Sequence, residues 1–171
     1  MLELTLIDPQ AMSGDEVEDL WKKVKSQPYA FDDSTKDRPD AFVMQLFRSD
    51  TLTLKLGNYG MVSLREMVPY GNANIHFIFW DRAPIKESLE LIKLLLYGLL
   101  NNDPYHLRRL TACIPAEIAK PTEHAAQVLG FKLEGRMRKA AIYNSKYYDF
   151  LIYGLLREDF VLEGGSNGRR T

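Results

Sequence analysis

The chain has 171 residues, of which 46% are hydrophobic and 26% charged, a composition typical of one globular domain with its own core. A formal net charge of -1 argues against binding through the phosphate backbone of nucleic acid. The single cysteine, Cys113, excludes an intrachain disulfide and a cysteine-based zinc site. Its apolar neighbours predict a small buried thiol.

We expect a cytoplasmic protein that does not enter a membrane. The first residues lack the pattern of a signal peptide, and charged side chains interrupt the most apolar run, which spans residues 85–100. The three histidines show no spacing typical of metal ligands. The sequence is compatible with a monomer or a homodimer.

The first half of the chain predicts one strand, two helices and a hairpin. Apolar side chains alternate in the strands and recur at helical spacing in the helices. Ser13 can cap the first helix, which begins acidic and ends rich in lysine, as the helix dipole favours. The predicted elements are a strand at 2–7, a helix after Ser13, a helix at 41–47, and strands at 52–56 and 61–67.

The second half predicts alternating strands and helices and then a hairpin. The run from Ile75 to Trp80 is apolar on both faces, which indicates a central strand covered on both sides. Pro84 suits the first turn of the next helix, and Gly130 would end the last helix. The other predicted elements are a helix to residue 102, a strand at 110–114, a helix at 122–129, and strands at 132–142 and 147–156 joined by Asn144 and Ser145.

These elements give the order βααβββαβαββ within a single domain at residues 1–160. One parallel crossover between antiparallel flanks predicts an α/β protein, with a central mixed sheet flanked by helices on both faces. The polar, glycine-rich tail at 161–171 is expected to be flexible.

The end of the domain carries a family motif, found in LGFKLEGRMRKA and in YNSKYYDFLIYGLLREDF. Its matching residues are Gly130, Phe131, Glu134, Gly135, Arg138, Tyr147 and Asp149. Residues 74–160 resemble the GNAT (Gcn5-related N-acetyltransferase) superfamily, especially members that acetylate protein N-terminal amines. The segment IHFIFWDR is also similar to short GNAT proteins of tailed bacteriophages. The resemblance implies direct transfer of acetyl from acetyl-coenzyme A to a primary amine, either a protein N-terminus or a small amine.

The resemblance also implies where acetyl-coenzyme A binds. The central strand and the next one would splay apart around it, with its pyrophosphate at the helix N-terminus near Pro84. Free backbone amides and the helix dipole favour an anion there. Backbone amides near Phe79 and Trp80 would polarise the thioester. The implied binding residues are Phe79, Trp80, Arg82, Ile85, Lys86, Glu87, Ser88 and Thr122.

The phosphate loop departs from the family pattern at two small positions, which are Ile85 and Glu87 here. The first adds bulk and the second adds negative charge beside a polyanion, although Arg82 and Lys86 can offset that charge. Two interpretations follow from these residues. One is an active acetyltransferase, and the other is a catalytically inactive GNAT-like protein with a binding or regulatory role.

Direct transfer needs a base for the amine, and the sequence offers two candidates. His76 can titrate near neutrality, but a core histidine bonded to a backbone carbonyl is the alternative. Glu66 on the preceding strand is the second candidate, and a solvated strand residue explains it equally well. The family's motif asparagine and its thiolate-protonating tyrosine correspond to Ala119 and Ala126. Three hairpin tyrosines either line the substrate mouth or serve packing, namely Tyr143, Tyr147 and Tyr148.

Overall fold

The computed structural model of the chain describes residues 2–160, so the predicted tail at 161–171 lies outside the described residues. The helices are α1 (Gly14–Lys25), α2 (Pro39–Leu46), α3 (Ile85–Asn101) and α4 (Ala119–Val128). The strands are β1 (Leu4–Leu6), β2 (Leu52–Leu56), β3 (Gly60–Arg65), β4 (Asn72–Phe79), β5 (Arg109–Pro115), β6 (Lys132–Tyr143) and β7 (Lys146–Leu156). This order confirms the predicted succession of strands and helices.

The strands form one seven-stranded sheet in the order β1-β2-β3-β4-β5-β7-β6. The pair of β4 and β5 is parallel, and the other neighbouring strands are antiparallel. Helix α3 makes the crossover between the two parallel strands, as a parallel connection requires. The predicted mixed sheet and its central fourth strand are confirmed.

Helices cover both faces of the sheet. Consecutive strand residues point to opposite faces, so each face has its own apolar side chains. Val62 contributes to a core with α3 and α4, in which Leu96 and Leu129 are buried. Met61 contributes to a second core with α1 and α2, which includes Trp21 and Phe42. The α/β class with helices on both faces is therefore confirmed.

The helix ends follow the predicted capping chemistry in part. Ser13 caps α1 through a capping box, in which its hydroxyl accepts from the Glu16 amide at 3.3 Å. Pro84 lies at the N-cap of α3 rather than inside its first turn. Helix α4 begins three residues before the predicted Thr122, after a 3-10 turn and without a side-chain cap, so no capping residue marks its start in the sequence.

The closing hairpin is built around two left-handed residues. Asn144 and Ser145 have φ values of 50° and 62°, which a two-residue turn between twisted antiparallel strands requires. Strand β6 bulges between Met137 and Ala141. Within residues 2–160, no helix has both the length and the apolar character that crossing a membrane requires.

Candidate acetyl-coenzyme A and acceptor site

The main opening in the sheet lies between its two parallel strands. Strands β4 and β5 pair over three residue pairs only, the last of which joins Asn74 and Thr111. Strand β4 continues to Phe79 and β5 to Pro115 without further pairing to each other. Since parallel strands run in the same direction, the gap widens towards the carboxyl ends of both. The predicted splay of the central strand is present in the fold.

The amides at the end of β4 differ in whether they can donate into this gap. The amides of Trp80 and Asp81 both donate to the carbonyl of Tyr59, at 2.9 and 3.2 Å, which is a bulge at the end of the strand. Backbone groups alternate in direction along a strand, so the Phe79 amide points away from β3 and towards the gap. The prediction of a free amide is therefore wrong for Trp80. For Phe79 it stays a prediction that the geometry permits.

The N-terminus of α3 lies beyond the end of β4. The Ser88 amide donates to the carbonyl of Pro84 at 2.9 Å, so the amides of Ile85, Lys86 and Glu87 precede the first intrahelical bond. The Ser88 hydroxyl is buried and has no hydrogen-bond partner in the part of the chain that the structure describes. Three free amides and an unpartnered hydroxyl fit an anionic ligand such as a pyrophosphate.

Charged side chains surround this helix end. Arg82 and Lys86 are exposed, and neither forms an ion pair with another described residue. The Ile85 side chain is 77% exposed and Glu87 is exposed as well, so an approaching phosphate would meet both. The two cations and the two unfavourable residues are thus all exposed at or just before the start of α3.

Helix α4 supplies no acidic hydroxyl at the family's position. Ala126 is buried in the core formed with α3, where a tyrosine would have to displace packed side chains. The hydroxyl of Thr122 donates to the carbonyl of Ile118 at 3.2 Å, within the helix itself. Its predicted contact with the cosubstrate stays a prediction.

His76 lies on β4 beyond the last pair with β5, opposite Ser63 and on the face covered by α1 and α2. Burial lowers the pKa of His76 to about 4, and the positive charge of Arg65 contributes to this shift. The imidazole is therefore neutral at pH 7. Its side chain makes no hydrogen bond within residues 2–160, so the carbonyl partner of the alternative interpretation is not found there.

Glu66 lies at the closed end of the gap, just beyond β3. Its carboxylate accepts a hydrogen bond from the side chain of Asn74, in the last pair of β4 with β5. Phe79 is five residues further along β4, which corresponds to about 16 Å at about 3.3 Å per residue. Glu66 therefore lies away from the open end of the gap, and its role as a base stays a prediction.

The loop between α1 and α2 is bonded to the tip of the β6–β7 hairpin, and we call these contacts the loop–hairpin bridge. The Asp33 carboxylate accepts from the amides of Asn144 and Ser145 at 2.9 and 2.7 Å. The ring centroids of Tyr29 and Tyr143 lie 4.4 Å apart, with the ring planes inclined at 35°. Two adjacent aspartates, Asp32 and Asp33, are the signal in the sequence for such a contact, because they are more than a simple turn requires.

Two motif residues of the closing hairpin have structural partners. Asp149 accepts from Arg136 Nε at 2.6 Å and from the amide of Lys139 at 2.7 Å, which holds the bulge in β6. Glu134 forms an ion pair with Arg109 across the sheet. The motif at these positions therefore stabilises the hairpin and its attachment to β5.

Solved structures of acetyltransferases share this architecture. A mutant form of the spermidine N-acetyltransferase SpeG from Vibrio cholerae has a TM-score of 0.63 and 16% identity, covering 94% of this chain and 98% of that chain. A probable GNAT-family acetyltransferase from Chromobacterium violaceum has a TM-score of 0.64 and 20% identity, covering 92% and 84% respectively. No protein-family model and no curated protein matches the sequence. Together with the sheet order and the splayed central strands, these likenesses show that the chain has the GNAT fold.

Proposed function

We propose that the protein is an N-acetyltransferase that moves acetyl from acetyl-coenzyme A to a primary amine by direct transfer. The observation that carries the proposal is the gap between β4 and β5, which leads to the free amides at the start of α3. We place the enzyme in the cytoplasm, as a monomer or homodimer, with no nucleic acid or membrane as partner.

The residues of this gap have separate roles in the proposal. Lys86, Arg82 and the helix N-terminus bind the pyrophosphate, and the Ser88 hydroxyl donates a further hydrogen bond. The amide of Phe79 polarises the acetyl oxygen. In the transfer the amine nitrogen bonds to the acetyl carbon, the carbon–sulfur bond breaks, and the amine loses a proton while the sulfur gains one.

For proton transfer the site offers one weak base, His76, and no acidic side chain at position 126, which is Ala126. A thiol with a pKa of about 8.5 leaves readily as thiolate, so the missing tyrosine slows the reaction without preventing it. His76, neutral at pH 7, is the candidate proton acceptor. A base of such low pKa cannot deprotonate an ammonium ion, so the acceptor amine must bind in its neutral form.

Calorimetric titration with acetyl-coenzyme A tests the phosphate site. We expect micromolar affinity, weakened about tenfold in Lys86→Glu because a negative charge replaces a positive one at the helix N-terminus. Lys93→Glu makes the same charge change about two turns further along α3 and should leave the affinity unchanged. Absence of binding at millimolar ligand would refute the proposal.

The second candidate function is a catalytically inactive GNAT-like protein with a binding or regulatory role, in a phage context. Ile85 and Glu87 at the phosphate loop and the buried Ala126 favour this alternative. It predicts that no amine is acetylated, whether or not acetyl-coenzyme A binds. Mass spectrometry of amine acceptors incubated with the protein and acetyl-coenzyme A separates the two functions.

A further inference from the structure

A buried tyrosine lies at the open end of the gap. Phe150 on β7 pairs with Pro115, the last residue of β5, and Tyr148 lies two residues before Phe150 on the same face of the strand. Glu117 follows Pro115 by two residues in the 3-10 turn after β5, which contacts β7. Tyr148 and Glu117 are therefore neighbours at the mouth of the site.

Aromatic rings enclose Tyr148. Its ring centroid is 5.1 Å from that of Tyr29 and 5.3 Å from that of Phe150. Only 4% of the Tyr148 surface is exposed, yet its hydroxyl makes no hydrogen bond with any other residue between 2 and 160. The hydroxyl oxygen itself is not fully enclosed, so a ligand group at the mouth of the site can reach it and supply its hydrogen bond.

Two carboxylates on the segments next to Tyr148 have no compensating cation in the described range. Asp32 accepts its side-chain hydrogen bonds from Ser34 and Thr35 through Oδ1, which leaves Oδ2 without a described partner. Glu117 is exposed and pairs with no cation in the described range. Burial raises the pKa of Tyr148 to about 12, and the negative charges of Asp32 and Glu117 contribute, which places both near the phenol.

We propose that the acceptor is an aliphatic diamine or polyamine, and that this aromatic–acidic pocket (Tyr29, Asp32, Glu117 and Tyr148) binds its second, non-reacting ammonium group. Aromatic faces and carboxylates together recognise an ammonium ion. The reacting amine must be neutral to attack the thioester, so a pocket for a cation serves another group of the same molecule. The inference rests on the proposed acetyl transfer.

The loop–hairpin bridge favours a small amine over a polypeptide. Asp33 and Tyr29 connect the α1–α2 loop to Asn144, Ser145 and Tyr143, which covers the side of the pocket next to Tyr148. A polypeptide acceptor needs an open groove for the chain that follows its N-terminus. An unbranched diamine ends in the pocket and needs none.

Matched acceptors test the proposal through steady-state kinetics. We expect 1,5-diaminopentane to have a KM about tenfold lower than 1-aminopentane, with similar kcat, because the second charge contributes equally to the ground and transition states. Glu117→Gln should raise the KM for the diamine about tenfold and leave that for aminopentane unchanged. Glu158→Gln, an exposed carboxylate in the turn after β7, is the control and should change neither value.

Tyr148→Phe provides a second variant that keeps the ring and its packing. It should raise the KM for the diamine several-fold without changing the unfolding midpoint, because only the hydroxyl is lost. Equal KM values for the two amines in the unmodified protein would overturn the inference. So would faster acetylation of a peptide N-terminus than of diaminopentane.

Direct binding separates this inference from the proposed function. Diaminopentane should bind to the protein in calorimetry without acetyl transfer, and Glu117→Gln should weaken that binding about tenfold. If the diamine binds but no amine is acetylated, the acetyltransferase proposal fails while the ammonium pocket stands. If acetyl transfer to aminopentane proceeds but diaminopentane shows no preference and no binding, the pocket is refuted and the enzyme stands.

Discussion

The half-buried imidazole of His76 should make the protein lose stability in mild acid. In the folded chain its pKa is lowered to about 4, whereas in the unfolded chain it is near the ordinary value of 6.5. Between these values the unfolded state binds a proton that the folded state does not, so the free energy of unfolding falls as pH decreases from 6.5 to 4. At about 1.4 kcal/mol per pH unit, this interval corresponds to about 3 kcal/mol.

Comparison with His76→Gln isolates this effect. Glutamine has a polar side chain of similar size that does not titrate, and the other two histidines, His106 and His124, are present in both proteins and cancel. Urea unfolding followed by tryptophan fluorescence at pH 7, 6, 5 and 4 gives the free energy of each protein. We expect the unmodified protein to lose about 3 kcal/mol more than the variant between pH 7 and pH 4. A difference that stays constant over this range would refute the lowered pKa of this imidazole.

Three further predictions concern the hairpin, the bridge and the reaction. Gly154→Ala places a methyl group about 2.7 Å from Arg109 Nη2 and against the Glu134 carboxylate, so it should displace their ion pair and lower the free energy of unfolding in urea by about 1 kcal/mol. Gly135→Ala, where the nearest atom is 3.9 Å away, is the control. Equal losses of stability in the two variants would contradict the explanation. Asp33→Ala should increase amide hydrogen exchange at Asn144 and Ser145 at least tenfold, because both lose their acceptor, whereas unchanged exchange would show that the bridge does not order the turn. The rate of acetyl transfer should show no inflection from His76 between pH 5 and 8, and an inflection near pH 6.5 that His76→Gln removes would contradict the lowered pKa.

The elements were predictable from sequence because they depend on local patterns. Ser13 and its acidic first turn mark α1, and the doubly apolar run around Ile75 marks a central strand. These features are properties of a few consecutive residues, whose periodicity the sequence displays directly.

The site was less predictable because it depends on register between distant segments. The end of pairing at Asn74 decides that Glu66 lies far from the opening, and no local pattern marks that point. The bulge that occupies the Trp80 amide depends on the carbonyl of Tyr59 across the hairpin. The bridge from Asp33 to the turn at Asn144 joins residues 111 positions apart in sequence. Such contacts follow from the packed fold and leave only weak signs in composition.

The short parallel pairing of β4 and β5 divides the sheet into two mechanical halves. One half contains β1 to β4 and the other contains β5, β7 and β6, and three residue pairs join them at the closed end. The loop–hairpin bridge fastens the opposite end, since the α1–α2 loop belongs with the first half and the hairpin tip with the second. The two ends of the opening are thus held by different contacts, strand pairing at one end and hydrogen bonds of Asp33 at the other. Without that carboxylate, the open end would be held by the hydrogen bond from the Asp33 amide to the Ile142 carbonyl and by the Tyr29 ring contacts.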